Sequence, residues 1–484
     1  MFRYTPIFYF FILLSSCIIL KPNNYLLKSD LSVANKYKEE INSKDLYNYL
    51  SILASDEFEG RETSFPGQKK AANFLKNKLS TWKITPPFEE GGYFQEFEVK
   101  IKDFSNVSLI INKDTLEFIN EFYSFGNPYN ASYNNLLTID GGYGIVNENY
   151  NSYDSINIKN KVVIIKEGYP IDKKFSIKDA NWRKKVEVAT NKGALAVIFK
   201  KDNYNNSDLL LKEQLVYPRM KMHNKIKTKQ HVPVFFVNEE ILNTYSKKII
   251  SFSTNVNEIK TAENVLGFIP GKKEEIIVIS AHYDHIGYDM GEICNGADDD
   301  GSGTASLLSI AKTFQKAYND GYKPNRGILF LMVSGEEKGL FGSKYYTDNP
   351  YFPLKNTIAN LNIDMIGRKD TIQSSNNYIY LIGSDKLSNQ LHIINEQIND
   401  KFIGFNLDYR YNNEEDPNRF YYRSDHYNFA KNNIPVIFYF GGLHEDYHKP
   451  TDEVDKIDFS KLEITTKYIF LTAWELAYRN NRIK

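Results

Sequence analysis

Five residues of metal-ligand type are spread through the second half of the chain: His282, Asp299, Glu337, Asp364 and His448. Each follows, or ends, an apolar run that is typical of a β-strand. Imidazole and carboxylate without thiolate favour zinc, with manganese or cobalt as substitutes. Because one catalytic zinc ion takes three protein ligands, the pattern predicts two metal ions that share a bridging carboxylate.

Two further carboxylates accompany this set. Glu336 is adjacent to Glu337, and neighbouring side chains of an extended segment point in different directions. We therefore expect one of the two to bind metal and its neighbour to act as general base on the attacking water. Asp284 follows His282 by two residues, where a carboxylate is expected to hold the imidazole in its metal-binding tautomer.

The elements that must position these residues alternate between strand and helix from about residue 264. This alternation predicts an α/β fold, with a mixed, mostly parallel sheet and helices on both faces. The predicted strands are 276–279, 328–333, 358–363, 378–382 and 434–440, and the clearest helix is 303–317. Since ligands bind beyond the carboxyl ends of strands in open α/β sheets, the five residues should meet there.

The first half of the chain differs in character. Residues 43–82 have helical spacing, whereas 105–260 contain short β-like runs at 161–165, 194–199 and 232–237 and a helix near 180–191. We interpret 105–260 as a compact β-rich insertion without a clustered ligand set. It divides one α/β domain into an N-terminal part, 29–104, and a main part, 261–484.

Charge and cysteine usage limit the classes of function. Lys plus Arg and Asp plus Glu each total 60, so no net field favours nucleic acid. Cys17 and Cys294 are the two cysteines. Cys294 lies near the acidic run 298–300, where it is either a soft metal ligand or a small buried filler, and the filler is favoured.

The N-terminus predicts export. Residues 7–14 are apolar, and Leu14-Ser15-Ser16-Cys17 resembles a bacterial lipobox, so residues 1–17 are interpreted as a lipoprotein-type signal peptide. We expect a protein of the bacterial cell envelope, attached to a membrane only through a lipid on Cys17. The alternatives are a plain secretory signal and an uncleaved anchor, although 7–20 is shorter than the roughly 20 residues of a spanning helix.

Several motifs together resemble the secreted di-zinc aminopeptidases, whose relatives include glutamate carboxypeptidases, glutaminyl cyclases and the transferrin receptor. The matching segments are LASDEFEGR at 53–61, AHYDH at 281–285, NGADDDGSG at 295–303, GEEKGLFGS at 335–343, NIDM at 362–365, SDH at 424–426 and YH at 447–448. The insertion is similar to a protease-associated domain. The resemblance covers nearly all of the chain after the signal peptide, and it implies the zinc exopeptidase type of three-layer α/β/α fold.

The resemblance also implies roles, which spacing alone leaves open among the three consecutive aspartates. Asp299 would bridge two Zn²⁺ ions, with His282 and Asp364 completing one site and Glu337 and His448 the other. Glu336 would be the general base, and Asp284 would support His282. Tyr447 would bind the substrate or the tetrahedral intermediate, and Ser424-Asp425-His426 would line or support the pocket. The expected substrates are peptides with a free N-terminus.

Three alternatives remain at this stage. A carboxypeptidase of the glutamate carboxypeptidase type would need a basic pocket, for which Arg410, Arg419 and Arg423 are candidates. A glutaminyl cyclase would hold a single zinc ion and would not need the insertion. A non-enzymatic binding protein would use the insertion as its recognition surface. The sequence does not predict the preferred side chain or the oligomeric state.

Overall fold

Two β-sheets, each with its own apolar core, organise the chain. The computed structural model describes residues 26–88, 92–171, 175–223 and 229–483. The proposed signal peptide and Cys17 lie outside these ranges. Within them, the strands form a nine-stranded sheet, an eight-stranded sheet and two small ribbons. None of the helices in these ranges is both long enough and apolar enough to span a membrane.

The N-terminal segment is helical, as its apolar spacing predicts. Its helices are α1 (Leu31–Tyr37), α2 (Ser43–Leu53) and α3 (Pro66–Thr81), and strand β1 (Phe94–Lys102) follows. Asn42 caps α2 by accepting a hydrogen bond from the Asp45 N–H. A short 3₁₀ segment, Asp56–Arg61, connects α2 to α3.

The middle of the chain builds the eight-stranded sheet. The elements of this segment are β2 (Val107–Ile111), β3 (Asp114–Thr115), β4 (Phe122–Tyr123), β5 (Ala131–Asp140), β6 (Val146–Asn147), β7 (Tyr150–Asn151), β8 (Val162–Lys166), α4 (Trp182–Asn191), β9 (Ala196–Lys201), α5 (Leu209–Leu215), β10 (Arg219–Met222), β11 (Val234–Asn238), α6 (Glu239–Thr244) and β12 (Ile249–Thr254). Strands β6 and β7 form a separate ribbon, and β10 is an edge strand of the nine-stranded sheet. A separate apolar cluster, running from Phe104 to Val256, fills the core of the eight-stranded sheet. The assignment of 105–260 as a protease-associated domain stays a prediction.

The C-terminal half alternates strands and helices. Its elements are β13 (Asn257–Ile269), β14 (Lys273–His282), β15 (Gly287–Asp289), β16 (Glu292–Cys294), α7 (Gly303–Asn319), β17 (Arg326–Val333), α8 (Phe341–Asp348), β18 (Thr357–Asp364), β19 (Tyr378–Ile382), α9 (Asn389–Phe402), β20 (Asn406–Asp408), α10 (His426–Ala430), β21 (Val436–Phe440) and α11 (Phe459–Tyr478).

The nine-stranded sheet has the order β10-β1-β13-β17-β14-β18-β21-β19-β20. Successive residues of β14 face opposite sides: Ile277 and Ile279 pack in the cluster that includes α7 and α11, whereas Ile276 and Val278 pack in the cluster that includes α8 and α10. Helices therefore cover both faces, which confirms the predicted three-layer α/β fold.

The sheet is mixed in a regular way. Strands β17, β14, β18 and β21 are mutually parallel. On one side, β10, β1 and β13 are each antiparallel to their neighbours. On the other side, β19 is antiparallel to β21 and parallel to β20. The expectation of a mostly parallel sheet thus holds for the centre and not for the flanks.

Candidate active site

The carboxyl ends of the central parallel strands bring the predicted ligands together. His282 is the last residue of β14, and Asp364 is the last residue of β18. Glu336 and Glu337 follow the end of β17, and His448 lies in the loop after β21. These four strands are adjacent, so residues far apart in sequence share one cleft, as the strand-end argument predicts.

Asp299 lies at the centre of this group. Its Oδ1 is 3.3 Å from His282 Nε2, and its Oδ2 is 3.2 Å from His448 Nε2. On one side, His282 Nε2 also lies 3.6 Å from Asp364 Oδ1. On the other side, His448 Nε2 lies 3.0 Å from Glu337 Oε2. The two oxygens of one carboxylate therefore face two different histidine–carboxylate pairs.

The turn that carries Asp299 is held from outside the strands. Asp452, which is fully buried, accepts hydrogen bonds from the backbone N–H groups of Asp298 and Asp299. Asp300 accepts from the N–H groups of Gly303 and Met365, which ties the turn to α7 and to the end of β18. These contacts leave Asp299, the middle aspartate, as the one whose side chain faces both histidine–carboxylate pairs.

Asp284 supports the site differently from the prediction. The His282 Nδ1 is 3.1 Å from the backbone carbonyl oxygen of Asp284, whereas the Asp284 carboxylate is 3.9 Å away. That carboxylate accepts hydrogen bonds from the Thr63 hydroxyl at 2.8 Å and from the Glu336 N–H at 3.3 Å. Asp284 thus orients His282 through its main chain and Glu336 through its side chain.

The segment at 61–63 reaches the site from the N-terminal part of the chain. Arg61 is buried and donates to the carbonyl oxygens of Leu53, Tyr283, Asn295 and Gly296, at 2.6 to 2.9 Å. Burial lowers the pKa of Arg61, while Asp284 and Asp299 oppose that effect. One guanidinium therefore joins the end of α2, the segment after His282 and the loop that leads to Asp299.

Ser424 lies behind Asp364. Its hydroxyl donates to Asp364 Oδ2 at 2.6 Å and accepts from the Asn362 side chain at 2.8 Å. Asp425 is fully buried, and this burial raises its pKa to about 7. His426 is also buried and packs its ring against Phe438. The Ser-Asp-His segment, predicted to line or support the pocket, thus directly contacts a proposed ligand.

Electrostatics distinguish Glu336 from its neighbour. Burial, reinforced by the carboxylates of Glu337 and Asp364, raises the pKa of Glu336 well above its ordinary value. Burial lowers the pKa of His282, but the carboxylates of Asp364 and Glu336 outweigh this and raise it overall. A half-buried carboxylate with a raised proton affinity, beside the ligand cluster, has the properties of a general base.

The residues present fit a pair of divalent cations. Four carboxylates and three imidazoles lie together: Asp299, Glu336, Glu337, Asp364, His282, His285 and His448. His448 Nε2 and Glu337 Oε1 have no hydrogen-bond partner among the described residues, although nitrogen and oxygen atoms of the cluster approach within 3.0 to 3.6 Å. Such a density of buried negative charge needs compensating cations.

A pocket opens at the cluster and is lined in part by His282, Asp299, Glu336 and Asp364. One wall is apolar and is formed by Met365, Phe420, Phe438, Phe440 and Leu443. Tyr447 also lines it, with its ring stacked on His448, and its hydroxyl lies 3.4 Å from the Arg423 guanidinium. The predicted position of Tyr447 beside the ligands is therefore found, and its role stays a prediction.

The arginines considered for a carboxylate-binding pocket do not converge. Arg423 lines the pocket. Arg410 instead forms an ion pair with Asp408 at 2.8 Å, and Arg419 packs against Tyr422. Cys294 is buried, and it belongs to neither of the two ligand groups found in the described ranges. This agrees with its interpretation as a filler.

Sequence reasoning missed four contributors: Arg61, Thr63, Asp452 and His285. Arg61 and His285 lie within motifs that carry the family resemblance, so their position in those motifs was a usable signal. Thr63 and Asp452 carry no such signal, because an isolated threonine or aspartate in a loop is ordinarily a turn or surface residue.

The chain is similar in sequence to known peptidases. Residues 264–473 match the family model described as Peptidase family M28. The chain is 30% identical over 223 residues to a probable leucine aminopeptidase of Arthroderma otae, a match that covers 45% of this chain and 58% of that protein. It is 27% identical over 254 residues to aminopeptidase YwaD of Bacillus subtilis, covering 48% of each. The chain thus spans about half the length of the curated relatives it matches.

A solved structure resembles the whole fold. The aminopeptidase from Aneurinibacillus sp. strain AM-1 superposes with a TM-score of 0.51 at 20% sequence identity, covering 93% of this chain and 97% of that one. At this identity the likeness concerns the fold alone. The family match over 264–473 agrees with the resemblance of the motifs in that part of the chain, and the solved structure agrees with the predicted fold.

Proposed function

We propose that this chain, whose residues 264–473 belong to peptidase family M28, is a zinc-dependent aminopeptidase that removes N-terminal residues from peptides. The observation that carries the proposal is the position of Asp299, whose two oxygens face His282 and His448 separately. This arrangement is what a carboxylate bridging two metal ions requires. The aminopeptidases among its relatives support the choice of reaction.

The proposed ligands divide into two sets that share Asp299. His282 and Asp364 would hold one Zn²⁺ ion, and Glu337 and His448 would hold the other. When bound, the ions would supply Lewis acidity, which polarises the scissile carbonyl group and lowers the pKa of the attacking water. Imidazole and carboxylate ligands are those that zinc prefers in catalytic sites.

Glu336 has the central proton-transfer role in this proposal. Its carboxylate accepts a proton from the attacking water and returns it to the nitrogen of the leaving amine. Asp284 accepts a hydrogen bond from the Glu336 N–H, which fixes the backbone that carries this carboxylate. The Tyr447 hydroxyl, which lines the same pocket as Glu336, would donate a hydrogen bond to the substrate carbonyl oxygen.

The pocket wall supports an apolar first residue in the substrate. Met365, Phe420 and Phe440 offer apolar surface next to Glu336, so a leucine-like side chain would be favoured there. A carboxypeptidase is the second candidate because Arg423 lines the same pocket. It is less well supported, since Arg410 is already paired with Asp408.

Localisation and the insertion remain part of the proposal. The lipobox-like sequence at 14–17 supports export to a bacterial cell envelope and lipid attachment at Cys17. Residues 105–260 would form a protease-associated domain.

The test compares peptide hydrolysis by the wild type and by Glu336→Gln. We expect the variant to bind zinc and fold like the wild type, but to lose turnover by about 10²- to 10⁴-fold, because the general base is gone. The control Glu396→Gln removes a carboxylate on α9, away from the site, and should retain activity. Near-normal turnover by Glu336→Gln would contradict the assigned base.

Substrates with blocked ends separate the alternatives. An aminopeptidase cleaves peptides with a free N-terminus and spares N-acetylated ones, whereas a carboxypeptidase is blocked by C-terminal amidation. Removal of metal with a chelator should abolish turnover, and added zinc should restore it. Zinc binding without turnover on any of these peptides would favour the non-enzymatic binding protein.

A further inference from the structure

We propose that His285 is a positioning residue that holds Glu337 by a hydrogen bond from its Nδ1–H to Glu337 Oε1, so that Oε2 is directed toward the metal position. His285 has no role in the ligand sets above. The inference rests on the proposed metal site, and it concerns how the second ion is held.

The contact is short and lies in the interior. His285 is fully buried, and its Nδ1 is 2.8 Å from Glu337 Oε1. The other oxygen of the same carboxylate, Oε2, lies 3.0 Å from His448 Nε2. Glu337 is therefore contacted by one imidazole on each oxygen, and the two rings lie 5.7 Å apart. His448 belongs to the proposed ligand set, whereas His285 approaches from the protein side.

The ring of His285 is fixed by its surroundings. Its backbone N–H donates to the Arg61 carbonyl oxygen at 3.3 Å. Gly296 packs directly against the ring, because a Cβ atom there would lie 2.6 Å from His285 Cγ and Cδ2. A larger residue at 296 would displace the imidazole, so the glycine maintains the close approach. Both contacts direct Nδ1 toward Glu337.

The chemistry of the imidazole favours a donor over a metal ligand. Neither ring nitrogen of His285 has an aligned hydrogen-bond partner among the described residues, but Nδ1 has a carboxylate oxygen, Glu337 Oε1, at 2.8 Å. If Nδ1 were bound to metal, the neutral ring would carry its proton on Nε2 and leave a buried N–H without an acceptor, which is unfavourable. If Nδ1 carries the proton, the ring N–H has an acceptor and only a lone pair is left over.

The distance agrees with this assignment. Charge-assisted N–H···O contacts measure about 2.7–2.9 Å, and the 2.8 Å separation falls in that range, although the N–H is not aligned straight at the oxygen.

Zinc titration of the full-length protein tests the proposal. Metal-free wild type, His285→Leu and His285→Asn would each be titrated with zinc against a chromophoric chelator, and both dissociation constants measured. Loss of such a supporting contact typically weakens metal affinity by about 10- to 100-fold. We expect His285→Leu to weaken one of the two sites by that factor. His285→Asn, whose amide can donate from the Nδ1 position, should stay close to wild type.

The outcomes separate a hydrogen-bond donor from other roles. Equal weakening in the leucine and asparagine variants would overturn the proposal in favour of direct ligation. Unchanged affinity in the leucine variant would leave only a packing role. The control His392→Leu, on α9, should bind both ions normally. If thermal unfolding shows that His285→Leu does not fold, His285→Gln replaces it, because its amide reaches one carbon farther and cannot make the same contact.

The titration needs no peptide. The inference can therefore fail while the peptidase proposal stands. It can also hold if the protein binds zinc and cleaves no peptide.

Discussion

Asp364 is prepared for its proposed role by a chain of buried polar side chains. Its Oδ2 accepts a hydrogen bond from the Ser424 hydroxyl, and the side-chain amide of Asn362 donates to the same hydroxyl oxygen. The side-chain oxygen of Asn362 in turn accepts a hydrogen bond from the Ser280 hydroxyl. Because each group has a defined partner, the Ser424 proton points at the carboxylate, and Oδ1 is left to face His282.

Ser424→Ala tests this chain. The change removes one charge-assisted hydrogen bond, so we expect a stability loss of about 1.5–3 kcal/mol. It should also weaken zinc binding by about tenfold or more, because Asp364 loses its orientation. Urea unfolding and zinc titration measure these two effects. Thr313→Val, which removes a buried hydroxyl within α7, should lower stability without changing zinc affinity. Equal zinc affinity in both variants would contradict the argument.

Lys461, a buried lysine of α11, makes the free energy of unfolding depend on pH. Its ammonium is buried over the Tyr378 ring and donates to the Arg368 carbonyl oxygen. Burial lowers its pKa from 10.5 to about 8, against the opposing effects of Asp298, Asp458 and Asp370. Between these values the unfolded chain binds more protons than the folded one, so the contribution of Lys461 to stability rises with pH from about 8 to 10.5 and is lost as pH falls through about 8.

Lys461→Met removes this titration. Between pH 8 and 10, the unfolding free energy of the wild type should therefore rise relative to that of the variant, by at most roughly 3 kcal/mol. Urea unfolding of both proteins at several pH values measures the difference. Parallel pH dependences would show that the folded pKa of Lys461 is not lowered.

Sequence reasoning succeeded for residues whose type was unusual for their place. A histidine or acid that ends an apolar strand, such as His282 or Asp364, is conspicuous because buried strands ordinarily have no need of one. Arg61 was not assigned a role, because only the folded chain brings the carbonyl groups of Leu53 and Gly296 to its guanidinium. Its place in the motif at 53–61 marked it as a candidate, but spacing alone does not predict a contact with four main-chain oxygens.

Among the elements, the central strands were the most predictable. Continuous apolar runs bounded by polar turns predicted β14, β17 and β18 near their observed ends, since buried parallel strands leave little choice of residue. The edge strand β10, Arg219–Met222, was not predicted. Its sequence alternates charged residues with methionine and pairs along one side only, with β1. An edge strand of this kind lacks the apolar pattern on which the prediction relied.

The turn after the 3₁₀ segment couples the N-terminal part of the chain to the general base. Thr63 donates to Asp284, and Asp284 accepts from the Glu336 N–H. Thr63→Val preserves shape and removes the donor, so we expect kcat to fall by about tenfold or more while KM stays near wild type. Thr63→Ser should restore kcat. A change in KM alone, or no rescue by serine, would show that the turn does not act through Glu336.

At the scale of the whole molecule, two separate apolar cores divide the chain. The core of the nine-stranded sheet combines residues from 27 to 483, whereas the core of the eight-stranded sheet lies between Phe104 and Val256. The sequence indicated this division through the change in element type near 105 and 260. It did not indicate that β10 returns from within the insertion to the edge of the other sheet, because that pairing depends on tertiary proximity.

The pairing of β1 with β13 brings the two ends of the inserted segment close together. Lys102 lies opposite Asn257 in this antiparallel pair, so the entry and exit of residues 103–256 are about one strand spacing apart, roughly 5 Å. A two-residue turn such as Asn-Gly could join them as an ordinary hairpin. Residues 103–256 could therefore be deleted in frame, or replaced by another domain, without moving β1 relative to β13. Because β10 lies within this segment, its removal would expose the unpaired backbone groups of β1 at the edge of the sheet, and the exchange would have to protect that edge.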